Sequence, residues 1–212
     1  MKLISKRIVF NCQTMFILLF VVFSLIASSN PYFKIDLIIS RLIQNINSSV
    51  FSDVMWFVSS IGNQPYMIII VGLISFIYYV NKFKKEAVIS SLIAAGSALS
   101  GSLIKVIIGR PRPEANLINV SVWLSDKSFP SNHVAVFTSF FGFILYLVLL
   151  KTKYIAKKSL LSVFLIILIM AMGISRIYLG AHWASDVLGG YLLGILWLML
   201  AIKLYNSTNG KR

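Results

Sequence analysis

The 212-residue chain has little of the chemistry most soluble enzymes rely on: one cysteine, two histidines and six acidic residues. The single cysteine, Cys12, excludes an internal disulfide and any CxxC metal or redox motif. It sits near the start of the first apolar run and is expected to face the membrane. Charge is scarce as well. Only 12% of residues are charged and 58% are apolar, a balance that excludes an ordinary soluble domain. A short-period alternation of apolar and polar residues is also missing. The stretch "LLSVFLIILIMAMG" is apolar on every side, which excludes a membrane β-barrel.

What is present is a series of uncharged runs. A helix needs roughly 20 residues to cross about 30 Å of hydrocarbon. Residues 8–33, 54–81, 87–104 and 128–150 are long enough, and the shorter runs 159–175 and 187–202 can be extended by snorkelling neighbours. The expectation is an all-α, polytopic membrane protein with six transmembrane helices. The first run also has the basic start and small residues (Ala27, Ser28, Ser29) of a cleavable signal peptide. It is read here as a retained helix, and cleavage would leave the rest of the topology unchanged.

The net charge of +14 does not point to nucleic acid, because of where the charges lie. Thirteen basic residues fall on one set of connections: Lys2, Lys6 and Arg7; Lys82, Lys84 and Lys85; Lys151, Lys153, Lys157 and Lys158; Lys203, Lys211 and Arg212. That set holds one acid, Glu86. The opposite set mixes Lys34, Arg41, Arg110, Arg112, Lys127 and Arg176 with Asp36, Asp53, Glu114, Asp126 and Asp186. The bias follows the positive-inside rule and places both termini in the cytoplasm.

No repeat or low-complexity segment divides the chain, so residues 1–212 read as one domain. After the first run, Ile35, Ile38, Leu42 and Ile46 recur at helical spacing. This predicts an amphipathic segment over about 34–60 lying on the outer interface. The third span contains "AAGSALSGS", whose small side chains permit close helix approach. Pro111 and Pro113 end that helix, and the loop from Arg110 to Phe129 is the longest irregular stretch. "PSNH" is a helix start that puts His133 in a first turn. His182 and Asp186 are spaced to share a helix face.

With orientation set by charge, Lys105, Arg112, His133, Arg176, His182 and Asp186 all fall at one membrane face. The charge count did not require this. Ionisable groups at a membrane are costly, so their convergence argues for one composite site. Three fixed cations suit a phosphate, and Ser131 with the amides of a helix N-terminus adds donors. One imidazole can attack phosphorus while a second protonates the leaving oxygen. A carboxylate beside the first ring fixes its tautomer.

Three spaced motifs carry a resemblance: "KVIIGRPRP" (Lys105, Arg112, Pro113), "PSNH" (Pro130 to His133) and "SRIYLGAHWASD" (Ser175, Arg176, His182, Asp186). In these the chain resembles the type-2 phosphatidic acid phosphatase family, relatives of the vanadium haloperoxidases. The resemblance implies His182 as nucleophile, Asp186 as its partner and His133 as general acid. Lys105, Arg112, Ser131, Arg176 and the amide of Asn132 would hold the phosphate. It implies no metal and no cofactor, and no acidic cluster in the sequence suggests a metal. The departure is Asn132, where the family has Gly. Asn tolerates unusual backbone angles and can donate through its amide.

The expected partners are the bilayer and a lipid phosphate, with phosphatidylglycerol phosphate, phosphatidic acid and undecaprenyl diphosphate as the candidates the resemblance offers. Water accepting the phosphoryl group makes a phosphatase; a lipid hydroxyl accepting it makes a phosphotransferase. A non-catalytic lipid-binding or transport protein fits the helices but not the histidine pair. The topology is testable with single introduced cysteines and an impermeant thiol reagent. Positions within 110–130 are expected to label from outside and the Lys151–Lys158 loop is not; external labelling of that loop overturns the orientation.

Overall fold

The computed structural model describes residues 2–207, with side chains from Gln13 onward. Cys12, the N-terminal basic residues, Lys211 and Arg212 therefore lie outside the described side chains, and the expectations placed on them have no structural counterpart. Eight helices occur among the described residues: α1 (Lys2–Ser28), α2 (Lys34–Gln44), α3 (Ser49–Gly62), α4 (Tyr66–Val80), α5 (Lys84–Ile108), α6 (Asn132–Lys151), α7 (Ile155–Tyr178) and α8 (Ala184–Ser207). The protein is all-α.

Four helices, α5 to α8, are long and apolar enough to cross a membrane, and a fifth span results if α3 and α4 count together. Those two are bent by 66° at the break between them, where the sequence Gly62-Asn63-Gln64-Pro65 interrupts an otherwise uncharged run. Proline's ring and missing N–H make such a break natural. The described apolar part of α1, Gln13–Ser28, is shorter than a span. Among the described residues the structure thus gives a polytopic membrane protein with four to five long apolar helices, where the sequence predicted six.

The interior is built around α6. Phe137, Phe140 and Phe143 are fully buried, and α6 packs against α5, α7 and α8. Its apolar residues run all round, as a helix enclosed by others requires. The small residues of α5 allow the contact: Ala94, Ser97 and Gly101 are buried, while Leu99, Leu103, Val106 and Ile107 face outward. At the other end of the molecule, Lys151 pairs with the buried Glu86, which also accepts from the Tyr205 hydroxyl at 3.0 Å.

The predicted amphipathic segment is not one element. It divides into α2 and the start of the bent pair, and Ile46 falls beyond the end of α2. Ile35, Ile38 and Leu42 are exposed, as a lipid-facing stripe requires. The polar side faces the protein. Asp36 and Ser40 are completely buried, and Gln44 Nε2 donates to the carbonyls of Asn119 and Tyr178 at 2.7 and 3.0 Å. Arg41 donates to the Leu117 carbonyl at 3.2 Å. Through these bonds α2 clamps the 110–129 loop to the end of α7.

Gly180, just after α7, sets the path of the chain into His182. Its φ is +66°, and a Cβ there would lie 2.1 Å from the Asn119 carbonyl oxygen. Left-handed strain costs about 1–2 kcal/mol for an ordinary residue, and here a rigid backbone clash adds to it. Gly180→Ala is expected to destabilise by more than about 2 kcal/mol, read as a fall in thermal stability in detergent. Gly72→Ala, with open space around its Cβ, is expected to be neutral or stabilising by about 0.5–1 kcal/mol.

Candidate active site

The end of α5, the start of α6, the break between α3 and α4, the loop between α5 and α6, and the turn before α8 meet around a cavity of about 500 Å³. Lys105, Arg112, Asp126, Asn132, His133 and His182 line its upper part. Below them it continues as a groove between α4 and α5, walled by Met67, Val71, Ala94 and Ala98 and reaching Ser91. Exposed Ile68 and Leu99 form its rim, so the groove opens sideways. The small residues of α5 supply the space.

His182 lies in the turn between α7 and α8 and is buried. Arg112 Nη1 sits 3.2 Å from its Nε2 and also donates to the Ala181 carbonyl at 2.5 Å. A guanidinium only donates, so Nε2 must be the accepting nitrogen and the ring proton resides on Nδ1. Burial first, and then the charges of Arg112, Lys105 and Arg176, hold this imidazole well below its ordinary pKa. It is neutral, with its Nε2 lone pair held by Arg112.

The predicted pairing with Asp186 is indirect. His182 Nδ1 is 3.7 Å from Asp186 Oδ2, beyond a hydrogen bond. Ser128 stands between them, its Oγ 3.4 Å from Nδ1 and donating to Asp186 Oδ2 at 2.5 Å. His182 precedes α8 rather than sharing a helical face with Asp186. The carboxylate instead accepts the Trp183 N–H at 2.9 Å, half of a capping box at the start of α8.

His133 occupies the first turn of α6, its Nε2 2.9 Å from Asn63 Oδ1 at the α3–α4 break. With that oxygen accepting, Nε2 bears the proton. Ser131 is the N-cap, but its hydroxyl makes no cap bond and is buried without a partner. The first amides of α6 remain orphan donors, and an anion is their natural acceptor.

Of the three cations, Lys105 and Arg112 reach the cavity and share Asp126, at 3.2 and 2.6 Å. Partial burial alone would raise the Asp126 pKa, but Lys105 and Arg112 carry it below its ordinary value. Arg176 is buried, with Nη1 donating to Ser59 Oγ at 2.5 Å and its Nε and Nη2 unpartnered. Buried guanidinium donors without acceptors are what a phosphate oxygen would satisfy. Among the described residues, no group of three His, Cys, Asp or Glu side chains is placed to hold a metal ion.

Four residues at this site carried no sequence signal of their role: Asn63, Arg110, Asp126 and Ser128. Only Arg110, inside "GRPRP", and the Asp126–Ser128 pair just before "FPSNH" lay close enough to the motifs to be noticed.

A profile of the PAP2 superfamily matches residues 86–209, more than half the chain. The chain belongs to this family. It is 27% identical over 188 residues to phosphatidylglycerophosphatase B of Bacillus subtilis (strain 168), covering 86% of this chain and 89% of the relative. It is 26% identical over 198 residues to an undecaprenyl-diphosphatase of Sulfolobus acidocaldarius, covering 91% and 89%. The crystal structure of a transmembrane PAP2-type phosphatidylglycerolphosphate phosphatase from Bacillus subtilis superposes with a TM-score of 0.77 at 25% identity, covering 92% of this chain and 96% of that one. PAP2 membership supports lipid phosphate hydrolysis as the general activity.

The side chain of Asn132 is turned toward α5. Its Nδ2 donates to Ser102 Oγ at 2.9 Å, and a Cβ on Gly101 would lie 2.0 Å from its Oδ1. The glycine on α5 thus makes room for the amide that replaces the PAP2 glycine. Gly101→Ala is expected to push this amide into the phosphate end of the cavity and lower activity by at least about tenfold, or 1.4 kcal/mol of barrier. Asn132→Gly in the same chain is expected to restore it. Equal loss in the single and double variants, measured as phosphate release, would show that the pair is not coupled.

Proposed function

We propose that the chain is a membrane lipid phosphatase that cleaves a lipid phosphate monoester or diphosphate through a phosphohistidine. The observation that carries this reading is the cavity itself, where a cluster of phosphate-seeking cations and two histidines opens into an apolar groove. The cations suit the headgroup and the groove suits the chain of the same lipid.

In the proposed reaction the phosphoryl oxygens take the donors of Lys105, Arg112, Arg176, Ser131 and the Asn132 amide. Arg112 exchanges His182 for a phosphate oxygen and so frees the Nε2 lone pair. Nε2 forms a bond to phosphorus as the bond to the lipid oxygen breaks, and His133, cationic once the anionic phosphate sits beside it, gives its Nε2 proton to that oxygen. The ring becomes cationic, and Asp186 stabilises it through Ser128. Water then attacks phosphorus, His133 takes its proton, the P–N bond breaks and phosphate leaves. The cations stabilise charge in both steps.

The same reading takes residues 1–212 as one domain with six spans, α1 and the bent α3–α4 pair included, both termini cytoplasmic and the site at the outer face. The 27-residue length of α1 and the charge asymmetry support it. Phosphatidylglycerol phosphate, phosphatidic acid and undecaprenyl diphosphate are the substrates to test. The first two are glycerolipids, and the third brings a long polyprenyl chain to the same groove.

Purified protein is expected to release phosphate from at least one of these lipids, with His182→Ala inactive. A nitrophenyl phosphate separates the histidines, because its leaving group needs little protonation. His182→Ala is expected to be inactive on both lipid and nitrophenyl substrates. His133→Ala is expected to lose roughly 10²–10⁴-fold on the lipid and far less on the nitrophenyl ester. Equal losses for both variants on both substrates overturn the acid role of His133.

A further inference from the structure

Behind Asp186, away from the cavity, lies a buried cluster that the phosphate chemistry does not use. Arg110 is 1% exposed and its side chain forks between two carboxylates. Nη1 donates to Asp186 Oδ1 at 2.6 Å and to Ser185 Oγ at 2.7 Å. Nη2 donates to Asp36 Oδ2 at 3.1 Å, and Nε to the Asn30 carbonyl at 3.0 Å. Asp36 is saturated as well: it accepts the Ser185 N–H at 2.8 Å, the Ser185 hydroxyl at 2.7 Å and the Phe33 N–H at 2.9 Å. Neither Arg110 nor Asp36 lines the cavity.

A buried ion cluster is a poor source of stability, since well-packed apolar side chains often do as well. Its charge count points elsewhere. With neutral His182, the two carboxylates and one guanidinium carry a single net negative charge. That charge is cancelled when the imidazole becomes cationic. Without the guanidinium, two carboxylates would face each other in a dry interior and hold a proton between them. A protonated Asp186 cannot stabilise the cationic ring.

We propose that Arg110 and Asp36 are positioning residues for phosphoryl transfer. Arg110 keeps Asp186 ionised and aimed at Ser128 and His182. Asp36, on a helix outside the three motifs, holds Arg110 and caps the N-terminus of α8. The proposal rests on the reading of His182 as the nucleophile.

The test uses the full-length protein. Arg110→Gln is expected to lower kcat at least about thirtyfold, with KM for the lipid phosphate within about threefold because the phosphate-facing cations remain. Asp36→Asn/Arg110→Gln removes the second carboxylate together with the guanidinium and is expected to recover at least about tenfold of that loss. A packing role predicts a double variant no better than the worse single one. The second readout needs no turnover. In a His133→Gln background His182 is the sole imidazole, and ¹⁵N spectra of the labelled ring recorded across pH report its protonation. The ring is expected to become cationic at a higher pH with Arg110 present, at a lower pH in Arg110→Gln, and at the higher pH again in the double variant. Should Arg110→Gln fail to fold, the double variant decides: a ring that titrates as in wild type and kcat within about tenfold of wild type support the proposal. An unchanged ring titration in Arg110→Gln, a loss confined to KM, or no recovery in the double variant overturns it. Wild-type protein that releases phosphate from no lipid would instead sink the proposed reaction and leave the ring titrations to judge this cluster.

Discussion

Arg110 between Asp36 and Asp186 is the contact on which the rest of the site depends. Charges taken out of water are tolerated only when partners and hydrogen bonds replace the solvent. Here every lobe of the cluster is supplied: four donors reach Asp36 and three reach Asp186. The three groups come from α2, from the exit of α5 and from the first turn of α8. One guanidinium therefore fixes the relative placement of three elements that are far apart in sequence. The turn carrying His182 is held from behind by the same contacts. Its front is left to Arg112 and the cavity.

The front of the site follows an opposite logic. Lys105 and Arg112 are shared by Asp126, which is partly open to solvent. The anion that neutralises them can be replaced by another, whereas the one behind Asp186 cannot. Arg176 keeps two nitrogens unpartnered, and the Ser131 hydroxyl is likewise free. A rigid, saturated rear and an unsaturated front are what preorganised charge stabilisation requires, because little has to be rearranged when a phosphate arrives.

The residues proposed to hold the phosphate stand out in the sequence because each motif is local. Lys105 and Arg112, the PSNH turn, and Arg176 with His182 are each set by spacing within a few residues. Helix ends then bring the groups together. The supporting residues were not legible, since their partners are distant. Asp36 and Arg110 are 74 residues apart, and nothing in the chain marks them as a pair. The amphipathic pattern of α2 matches the exposed stripe of Ile35, Ile38 and Leu42. It gave no sign that the polar side would turn inward, because an interfacial helix can spend its polar residues on water or on protein. The break at Gly62–Pro65 shortened what read as an uninterrupted span, and it brought Asn63 to His133. Counting uncharged residues overlooks such a break, although the proline was visible.

The groove below the phosphate end has protein on only some of its sides. From Lys105 down to Ser91 it follows α5 for fourteen residues, about 21 Å at 1.5 Å per residue. Its rim residues, Ile68 and Leu99, are exposed along that length. A channel closed at its far end would measure a hydrocarbon chain, as a ruler does. A trough whose missing wall is the bilayer has no such end stop, and a chain too long for it simply continues among its neighbours. On the proposed reading, selection would fall on the polar end of the lipid, and tails of different length and branching would be equivalent to it.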